Sequence, residues 1–357
     1  MTDPQWLDLL HIIEGKQLDP IPAGLIIDSP WLPGWAGISI MDYFSDDRLW
    51  LEANLKAVRQ FDRIMFLPGF WAEYGMCTEP SAFGAKCIWY ENAFPNVGKI
   101  LHRYEDAYNL TKPSCRNDGL LPFIINRLRR CRGAIEEAGH RIRFAISRGP
   151  LNIASYLLGH NEFLIGVKIQ PKEIHRLLSL VTDFIIDWLI YQSESFDSIE
   201  GIFILDDLIG FLGDKDFQEF VLPYLKKIFA CLDVPVRMLH NDAAGMITAQ
   251  YLTEMGVNVF NFSFKHGLNE MRRLAGESVV LVGNSPPRDV MAQGTPEDVR
   301  QSVSAALASI EDKRRLIISC GGGMPPHAPT ENIEAFSNEC CIANEGRSAR
   351  GRQAVSD

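Results

Sequence analysis

Three residues of this chain have side chains that commonly bind zinc, and each lies at the end of an apolar run. His240 and Asp242 follow the run 236–239, and Cys320 ends the run 316–320. Residues two apart on an extended chain point to the same side, so His240 and Asp242 can share one ion. Three protein ligands leave a fourth position open, as in catalytic zinc sites. This pattern therefore suggests catalytic zinc, although a hydrogen-bonding histidine and a buried cysteine are the commoner roles of such residues.

Further polar side chains follow apolar runs, and we expect them to converge on one pocket. Asp206, Asp207, Glu73 and Arg148 are the predicted catalytic residues, and the predicted cofactor contacts are Asn241, Asn261 and Asn284. Adjacent residues on a strand face opposite ways, so only one of the two aspartates can point at the site. The other is expected to cap a helix. For Glu73 the alternative is solvent exposure, and for Arg148 it is pairing with a nearby acid.

The elements that must position these residues are strands alternating with helices. Continuous apolar runs predict strands at 23–28, 63–67, 143–147, 201–205, 236–240, 257–261, 279–283 and 316–320. Amphipathic segments predict helices at 46–60, 120–138, 171–192, 215–231, 244–255 and 296–310. Eight strands with intervening helices predict a single (β/α)8 barrel with an N-terminal extension, whose chemistry lies where the strands end. A doubly wound sheet is the alternative, but no Gly-x-Gly-x-x-Gly follows an early strand.

Composition and charge restrict the class of protein. The chain has 357 residues, 46% of them hydrophobic, and a net charge of -10 without a basic patch. An acidic surface argues against nucleic acid as a partner. The eight cysteines form no Cys-x-x-Cys pair, and no apolar run is long enough to cross a membrane. We therefore expect a cytoplasmic protein with free thiols, in which residues 1–337 form the barrel and residues 338–357 a flexible tail.

Several motifs resemble the uroporphyrinogen decarboxylase superfamily over about residues 60–336. They are Trp71-Ala-Glu73-Tyr74-Gly75, Glu79-Pro-Ser-Ala82-Phe-Gly84, Asn92-Ala-Phe-Pro95, Arg148-Gly-Pro150, Asp206-Asp207, Phe217-Gln-Glu-Phe220 with Pro223, and Ser319-Cys320-Gly-Gly with Thr330-Glu-Asn332. The resemblance implies the same barrel and two candidate activities. The heme-pathway decarboxylases of this superfamily are metal-free and bind substrate carboxylates through an arginine-rich N-terminal segment. The corresponding residues 18–22 and 28–35 contain no arginine, so uroporphyrinogen is not the expected substrate.

The other branch of the superfamily contains zinc methyltransferases with a His-x-Cys motif and a later cysteine. His240 and Cys320 match two of these ligands, and Asp242 occupies the position of the middle cysteine. A carboxylate in place of a thiolate leaves zinc more Lewis-acidic, which suits polarising an ether oxygen. The resemblance implies methyl transfer between a small methyl donor or a thiol and a corrinoid carried on a partner protein. The alternative is a metal-free decarboxylase acting on another acid. His327 is a reserve ligand, and a homodimer stays open.

Overall fold

The computed structural model describes residues 1–27 and 30–353. For residues 343–353 it describes the backbone alone. Eight strands form one parallel sheet in the order β2-β1-β8-β7-β6-β5-β4-β3. Every predicted strand is confirmed within a few residues. The strands are β1 (Ala23–Ile26), β2 (Ile64–Leu67), β3 (Phe144–Arg148), β4 (Gly201–Leu205), β5 (Val236–Asn241), β6 (Val259–Phe262), β7 (Val280–Ser285) and β8 (Leu316–Cys320).

Helices surround this sheet. They are α1 (Asp3–Ile13), α2 (Leu32–Ala36), α3 (Ile40–Ser45), α4 (Asp47–Gln60), α5 (Thr78–Ala82), α6 (Leu121–Glu137), α7 (Pro150–Leu158), α8 (His160–Ile169), α9 (Pro171–Ser195), α10 (Asp214–Phe220), α11 (Leu222–Phe229), α12 (Met246–Met255), α13 (Leu268–Ala275), α14 (Pro296–Ser309) and α15 (Thr330–Gln353). Single turns occupy Tyr104–Tyr108, Leu208–Phe211 and Pro287–Ala292. Strands Cys87–Ile88 and Asn96–Val97 pair as a separate antiparallel hairpin.

The sheet curls until its interior side chains meet. Every strand from β1 to β8 contributes to one buried cluster, which contains Ile26, Met65, Leu67, Phe144, Ile146, Phe203, Val236, Met238, Val259, Val280, Val282 and Ile317. Among the described strands β2 and β3 share no ladder, so these side chains, not hydrogen bonds, join the two edges. The result is a single (β/α)8 barrel with a filled interior, as the sequence predicts.

The N-terminal extension closes one end of the barrel. Trp6, Leu9 and Ile12 of α1 belong to the interior cluster. The Trp6 ring packs edge-on against Phe144, with 5.5 Å between ring centroids. Phe144 is the first residue of β3, so α1 covers the end of the barrel where the strands begin. The opposite end, where the strands finish, carries the predicted site.

One predicted helix is wrong as a single element. The segment 215–231 contains two helices, α10 and α11, that meet at Val221. Pro223 lies in the first turn of α11. Its ring removes one N–H donor and clashes with the preceding turn, which ends a helix. The other predicted helices are confirmed, and Thr295 forms a capping box with Asp298 at the start of α14.

The C-terminal segment continues as helix. The backbone of α15 runs to Gln353, so it includes residues 338–353 of the predicted tail, and residues 354–357 lie outside the described part of the chain. The flexibility of this segment stays a prediction. No helix within the described ranges is both long and apolar enough to span a membrane.

Candidate functional site

The orientation of His240 is fixed by Asn261 on the neighbouring strand. His240 ends β5, Asn261 lies opposite it in β6, and both are buried. The Asn261 amide nitrogen donates to the carbonyl oxygens of Val282 (2.8 Å) and Cys320 (3.1 Å). Its oxygen must therefore face His240 Nδ1, 2.7 Å away. Because an amide oxygen only accepts, Nδ1 carries a proton, and in the neutral ring the lone pair then lies on Nε2, where a ligand can bind.

Two carboxylates lie beside that lone pair. Asp207 Oδ1 is 3.6 Å from His240 Nε2 and accepts a hydrogen bond from the Asp242 backbone N–H at 3.0 Å. Ligand atoms of Asp207, His240 and Asp242 all lie within 4.8 Å of one another. One imidazole nitrogen and two carboxylates form a donor set that suits zinc. We call these three residues the Asp-His-Asp cluster.

The cluster brings two carboxylates, those of Asp207 and Asp242, close together. Burial raises the pKa of Asp207 to about 6; the Asp242 carboxylate adds to the shift, and the His240 ring opposes it. Even so, 40% of the Asp207 side chain is exposed, and Asp242 is exposed as well. Adjacent carboxylates that repel each other are relieved by a bound cation. The cluster is therefore both accessible and electrostatically suited to a metal ion.

Cys320, the third predicted ligand, lies outside the cluster. Its thiol is buried and lies 3.9 Å from the Met324 sulfur. The backbone after it approaches the cluster closely, since a side chain at Gly322 would come within 3.3 Å of Asp242 Oδ2. His327, the reserve ligand, is also outside the cluster. The structure therefore brings His240 and Asp242 together as predicted and supplies Asp207 as their neighbour.

Asp206 anchors the scaffold. Its buried carboxylate accepts hydrogen bonds from the backbone N–H groups of Leu151 (2.9 Å) and Asn152 (3.2 Å) in the first turn of α7. Burial raises the pKa of Asp206, and these donors oppose the shift. A side chain at Gly149 would meet Asp206 Oδ2 at 2.3 Å, so glycine is required there. Of the two aspartates, Asp206 caps a helix and Asp207 faces the site. Both follow the end of β4 at Leu205, so the turn after the strand sets this division.

Arg148 is enclosed by two glutamates. Its guanidinium donates to Glu73 Oε2 at 2.8 Å and to Glu79 Oε2 at 3.3 Å. The Arg148 backbone N–H also donates to Glu79 Oε1 at 2.9 Å. All three side chains are at least 92% buried. Arg148 therefore pairs with acids, the alternative raised by the sequence, and Glu73 is not exposed.

Two of the three predicted cofactor contacts shape loops. Asn241 accepts from the Ala243 backbone N–H at 3.0 Å and donates to Thr248 Oγ1 at 3.0 Å. These bonds fold the turn that leads into α12. Asn284 donates to the backbone carbonyl oxygen of His266. Cofactor contact by these asparagines stays a prediction, whereas Asn261 has the clear role of orienting His240.

Sequence reasoning missed Tyr156 of α7. Burial raises the pKa of its hydroxyl to about 12; the Arg148 charge opposes this shift, and the Asp207 and Asp206 charges add to it. The hydroxyl therefore stays protonated near neutral pH, and it donates a hydrogen bond to Met76 Sδ, 2.8 Å away. No sequence spacing pointed to it, because it lies on a helix and not at a strand end.

An apolar cavity of about 450 Å³ opens on the same end of the barrel. Its lining comes from the loops after β1, β2 and β8 and consists of Pro30, Gly34, Ile38, Ile40, Asn92, Ala93, Phe94, Pro326 and His327. Among these described residues His327 alone can carry a charge. The loop after β8 links the two features, because it passes Asp242 at Gly322 and reaches the cavity at Pro326.

A filled parallel barrel with an imidazole, carboxylates and an enclosed arginine at the carboxyl ends of its strands has the layout of a barrel enzyme. A profile of the uroporphyrinogen decarboxylase (URO-D) family matches residues 8–341. The chain belongs to this family of enzymes.

Similar proteins carry two different names. The uroporphyrinogen decarboxylase of Psychromonas ingrahamii is 26% identical over 301 residues, which are 80% of each chain. That of Dichelobacter nodosus is 26% identical over 265 residues, covering 72% of this chain and 74% of the relative. A methyltransferase from Methanosarcina mazei superposes with a TM-score of 0.76 at 18% identity, covering 93% of this chain and 96% of the other. The last likeness concerns the fold alone.

Proposed function

We propose that this protein is a zinc-dependent methyltransferase. One end of the transfer is a corrinoid carried on a partner protein. The other end is either a small methyl donor, such as an ether, or a thiol. The observation that carries the proposal is the Asp-His-Asp cluster. In it Asn261 engages His240 Nδ1, so that Nε2, beside two carboxylates, is the ring nitrogen that can bind a metal ion.

The residues present fit zinc. Structural zinc sites are closed by four protein ligands, whereas catalytic sites keep one position open. The cluster offers three ligands, and it is exposed on the side of Asp242. His240 and Asp242 belong to the predicted ligand set. The third ligand is Asp207 in the cluster and Cys320 in the set predicted from the sequence. Variants of these two residues distinguish the two ligand sets.

The chemistry follows from the donors. When bound, zinc acts as a Lewis acid that polarises an ether oxygen or activates a thiol. His240 and the two carboxylates hold that position, and Asn261 keeps the ring in one tautomer. Tyr156 lies between the cluster and Arg148, as the charge interactions of its hydroxyl with Asp207 and with Arg148 indicate. The buried Glu73–Arg148–Glu79 group keeps the adjacent wall in place.

The donor is expected to be apolar and without acidic groups. The 450 Å³ cavity beside the cluster is lined almost entirely by apolar side chains. Among the side chains discussed above, the carboxylates of Glu73, Glu79, Asp206, Asp207 and Asp242 accompany a single guanidinium, Arg148, which already pairs with Glu73 and Glu79. This balance repels a polyacid such as uroporphyrinogen, and a methoxylated aromatic ring fits both the cavity and the charge.

The test is a methyl-transfer assay with free reduced cobalamin as acceptor and methoxybenzenes as donors. Formation of methylcobalamin is expected from the zinc-loaded wild type and is expected to fall at least about 100-fold in His240→Gln, because loss of a metal ligand removes the Lewis acid. A variant of the remote Asn258, Asn258→Ala, is the matched control. Equal rates in His240→Gln and the wild type would refute the proposed role of the cluster.

Decarboxylation is the second candidate, and the names of the curated relatives favour it. The N-terminal segment argues against uroporphyrinogen as the substrate. This segment should bind the substrate carboxylates, but it contains no arginine, and the first arginine of the chain is Arg48. An anaerobic assay for coproporphyrinogen tests the reaction that those names describe, and a decarboxylase acting on another acid is the remaining alternative. Production well above background by the metal-free protein would establish the decarboxylase and exclude the methyltransferase proposal.

A further inference from the structure

Two cysteine thiols lie in contact beside the barrel mouth. Cys77 is buried directly before α5, and Cys87 begins the hairpin and is half-buried. Their side chains are hydrogen-bonded to each other. The Cys77 sulfur also lies 3.3 Å from the carbonyl oxygen of Asn96, and Asn96 pairs with Ile88 across the hairpin. This contact holds the Cys77 sulfur against the strand Asn96–Val97, which pairs with the strand that carries Cys87.

Two of the other thiols lie against backbone carbonyl oxygens instead. Cys115 lies 3.7 Å from the carbonyl oxygen of Phe184, and Cys131 lies 3.9 Å from that of Asp47. Burial raises the pKa of Cys115 to about 12 and that of Cys231 to about 11. In contrast, the hydrogen bond from Cys77 lowers the pKa of Cys87. Cys87 is also the less buried of the two thiols, so an oxidant in solution reaches it first.

We propose that Cys77 and Cys87 are a redox modification site that forms a reversible intramolecular disulfide. The oxidant is a low-molecular-weight disulfide. The Cys87 thiolate attacks one sulfur of the oxidant, so that a mixed disulfide forms and one small thiol leaves. The Cys77 thiol then loses its proton and attacks the Cys87 sulfur, which releases the second small thiol. Two protein thiols are oxidised and one small disulfide is reduced to two thiols.

The bond joins two elements that border the site. Cys77 precedes α5, whose Glu79 binds Arg148. Cys87 belongs to the hairpin, whose connecting residues Asn92, Ala93 and Phe94 line the apolar cavity. Oxidation therefore fixes one wall of the cavity to the segment that supports the buried arginine. The inference stands on these contacts and does not depend on zinc or on methyl transfer.

The experiment is thiol mapping of the full chain. The protein is treated with oxidised glutathione, the remaining free thiols are alkylated, and the peptides are identified by mass spectrometry. In the wild type, Cys77 and Cys87 are expected to escape alkylation and to appear as one linked peptide, which dithiothreitol separates. Hydrogen exchange of hairpin residues 85–98 is expected to slow in the oxidised form.

Matched variants separate the two cysteines. In Cys77→Ser the mixed disulfide is expected to persist at Cys87, because no resolving thiol remains. In Cys87→Ser no glutathione should be found at Cys77, and in the control Cys231→Ser the Cys77–Cys87 bond should form as in the wild type. The proposal fails if both thiols of the oxidised wild type remain alkylatable. It also fails if wild-type Cys87 stops at the mixed disulfide.

Discussion

Asn261 determines how the His240 ring can act. Its amide nitrogen is committed to the carbonyl oxygens of Val282 and Cys320, so its oxygen has to accept from His240 Nδ1. Hydrogen bonds to the second nitrogen of a ligating histidine fix the tautomer and the direction of the ring. The metal affinity of the cluster should therefore depend on a residue that contacts no metal itself.

Replacing Asn261 tests this dependence. In Asn261→Ala the ring loses its acceptor, so the zinc affinity is expected to fall about 10- to 100-fold. Asn258→Ala is the control, because the Asn258 side chain bonds to backbone groups of Pro235 and Arg237 at the other end of the strand. Competitive chelator titration measures both. An unchanged affinity in Asn261→Ala would show that His240 needs no such support.

Asp242 is expected to bind the metal directly. Asp242→Cys should keep zinc and bind it at least as tightly, since thiolate is a strong zinc ligand. Asp242→Ala should bind zinc far more weakly than either. The same chelator titration gives the order of affinities. If Asp242→Ala bound zinc as tightly as the wild type, Asp242 would have only a structural role.

The pKa of Asp207 predicts how metal binding depends on pH. Its folded-state pKa is raised to about 6, so the carboxylate gains a proton as the pH falls through 6. Protons then compete with the metal ion, and zinc affinity is expected to drop by up to about tenfold per pH unit below 6. Asp207→Asn should bind zinc more weakly at pH 7 and lose part of this pH dependence. Titrations at pH 7 and pH 5 check it.

At the scale of elements, hydrogen bonds connect the residues after β4 to the start of helix α7. The Asp206 carboxylate holds the first turn of α7, and α7 carries Tyr156. The approach is so close that Gly149 has no room for a methyl group. Packing at this junction therefore determines where the Asp207 carboxylate and the Tyr156 hydroxyl lie.

Gly149→Ala is expected to lower the free energy of unfolding by about 1–3 kcal/mol, because the added methyl group overlaps Asp206. Gly133→Ala in α6 is the control. A methyl group there meets nothing within 4 Å, and alanine is expected to stabilise the helix by up to about 1 kcal/mol. Urea denaturation followed by circular dichroism measures both. Equal stability of the two variants would contradict the close packing.

The Glu73–Arg148–Glu79 group ties β3 to the loop after β2, where the sheet has no hydrogen-bonded ladder. In Arg148→Met both glutamates stay buried without their cation, so a loss of about 3–5 kcal/mol in unfolding free energy is expected. Arg48→Met, which breaks an exposed pair with Glu52, should cost under about 1 kcal/mol. Similar losses in the two variants would mean that the buried pairing contributes little.

At the scale of the whole molecule, the barrel could be predicted because its strands are continuous apolar runs. His240 and Asp242 could be paired from their spacing alone. Which of Asp206 and Asp207 would join them could not be predicted, because Asp207 reaches His240 through the pairing of β4 with β5, where Leu205 lies opposite His240. The register between two strands cannot be read from one amino-acid sequence. Likewise, the spacing of Cys320 could not show that its thiol turns toward Met324.

The most direct measurement is the zinc content and zinc affinity of purified protein and of single variants. About one zinc per chain is expected for the wild type. Asp207→Asn, His240→Gln and Asp242→Ala should each weaken binding strongly, whereas Cys320→Ser should leave it nearly unchanged if the Asp-His-Asp cluster holds the metal. Loss of zinc in Cys320→Ser with retention in Asp207→Asn would restore the thiol as the third ligand. Wild-type protein that binds no zinc in any of these titrations would contradict the proposed metal site itself.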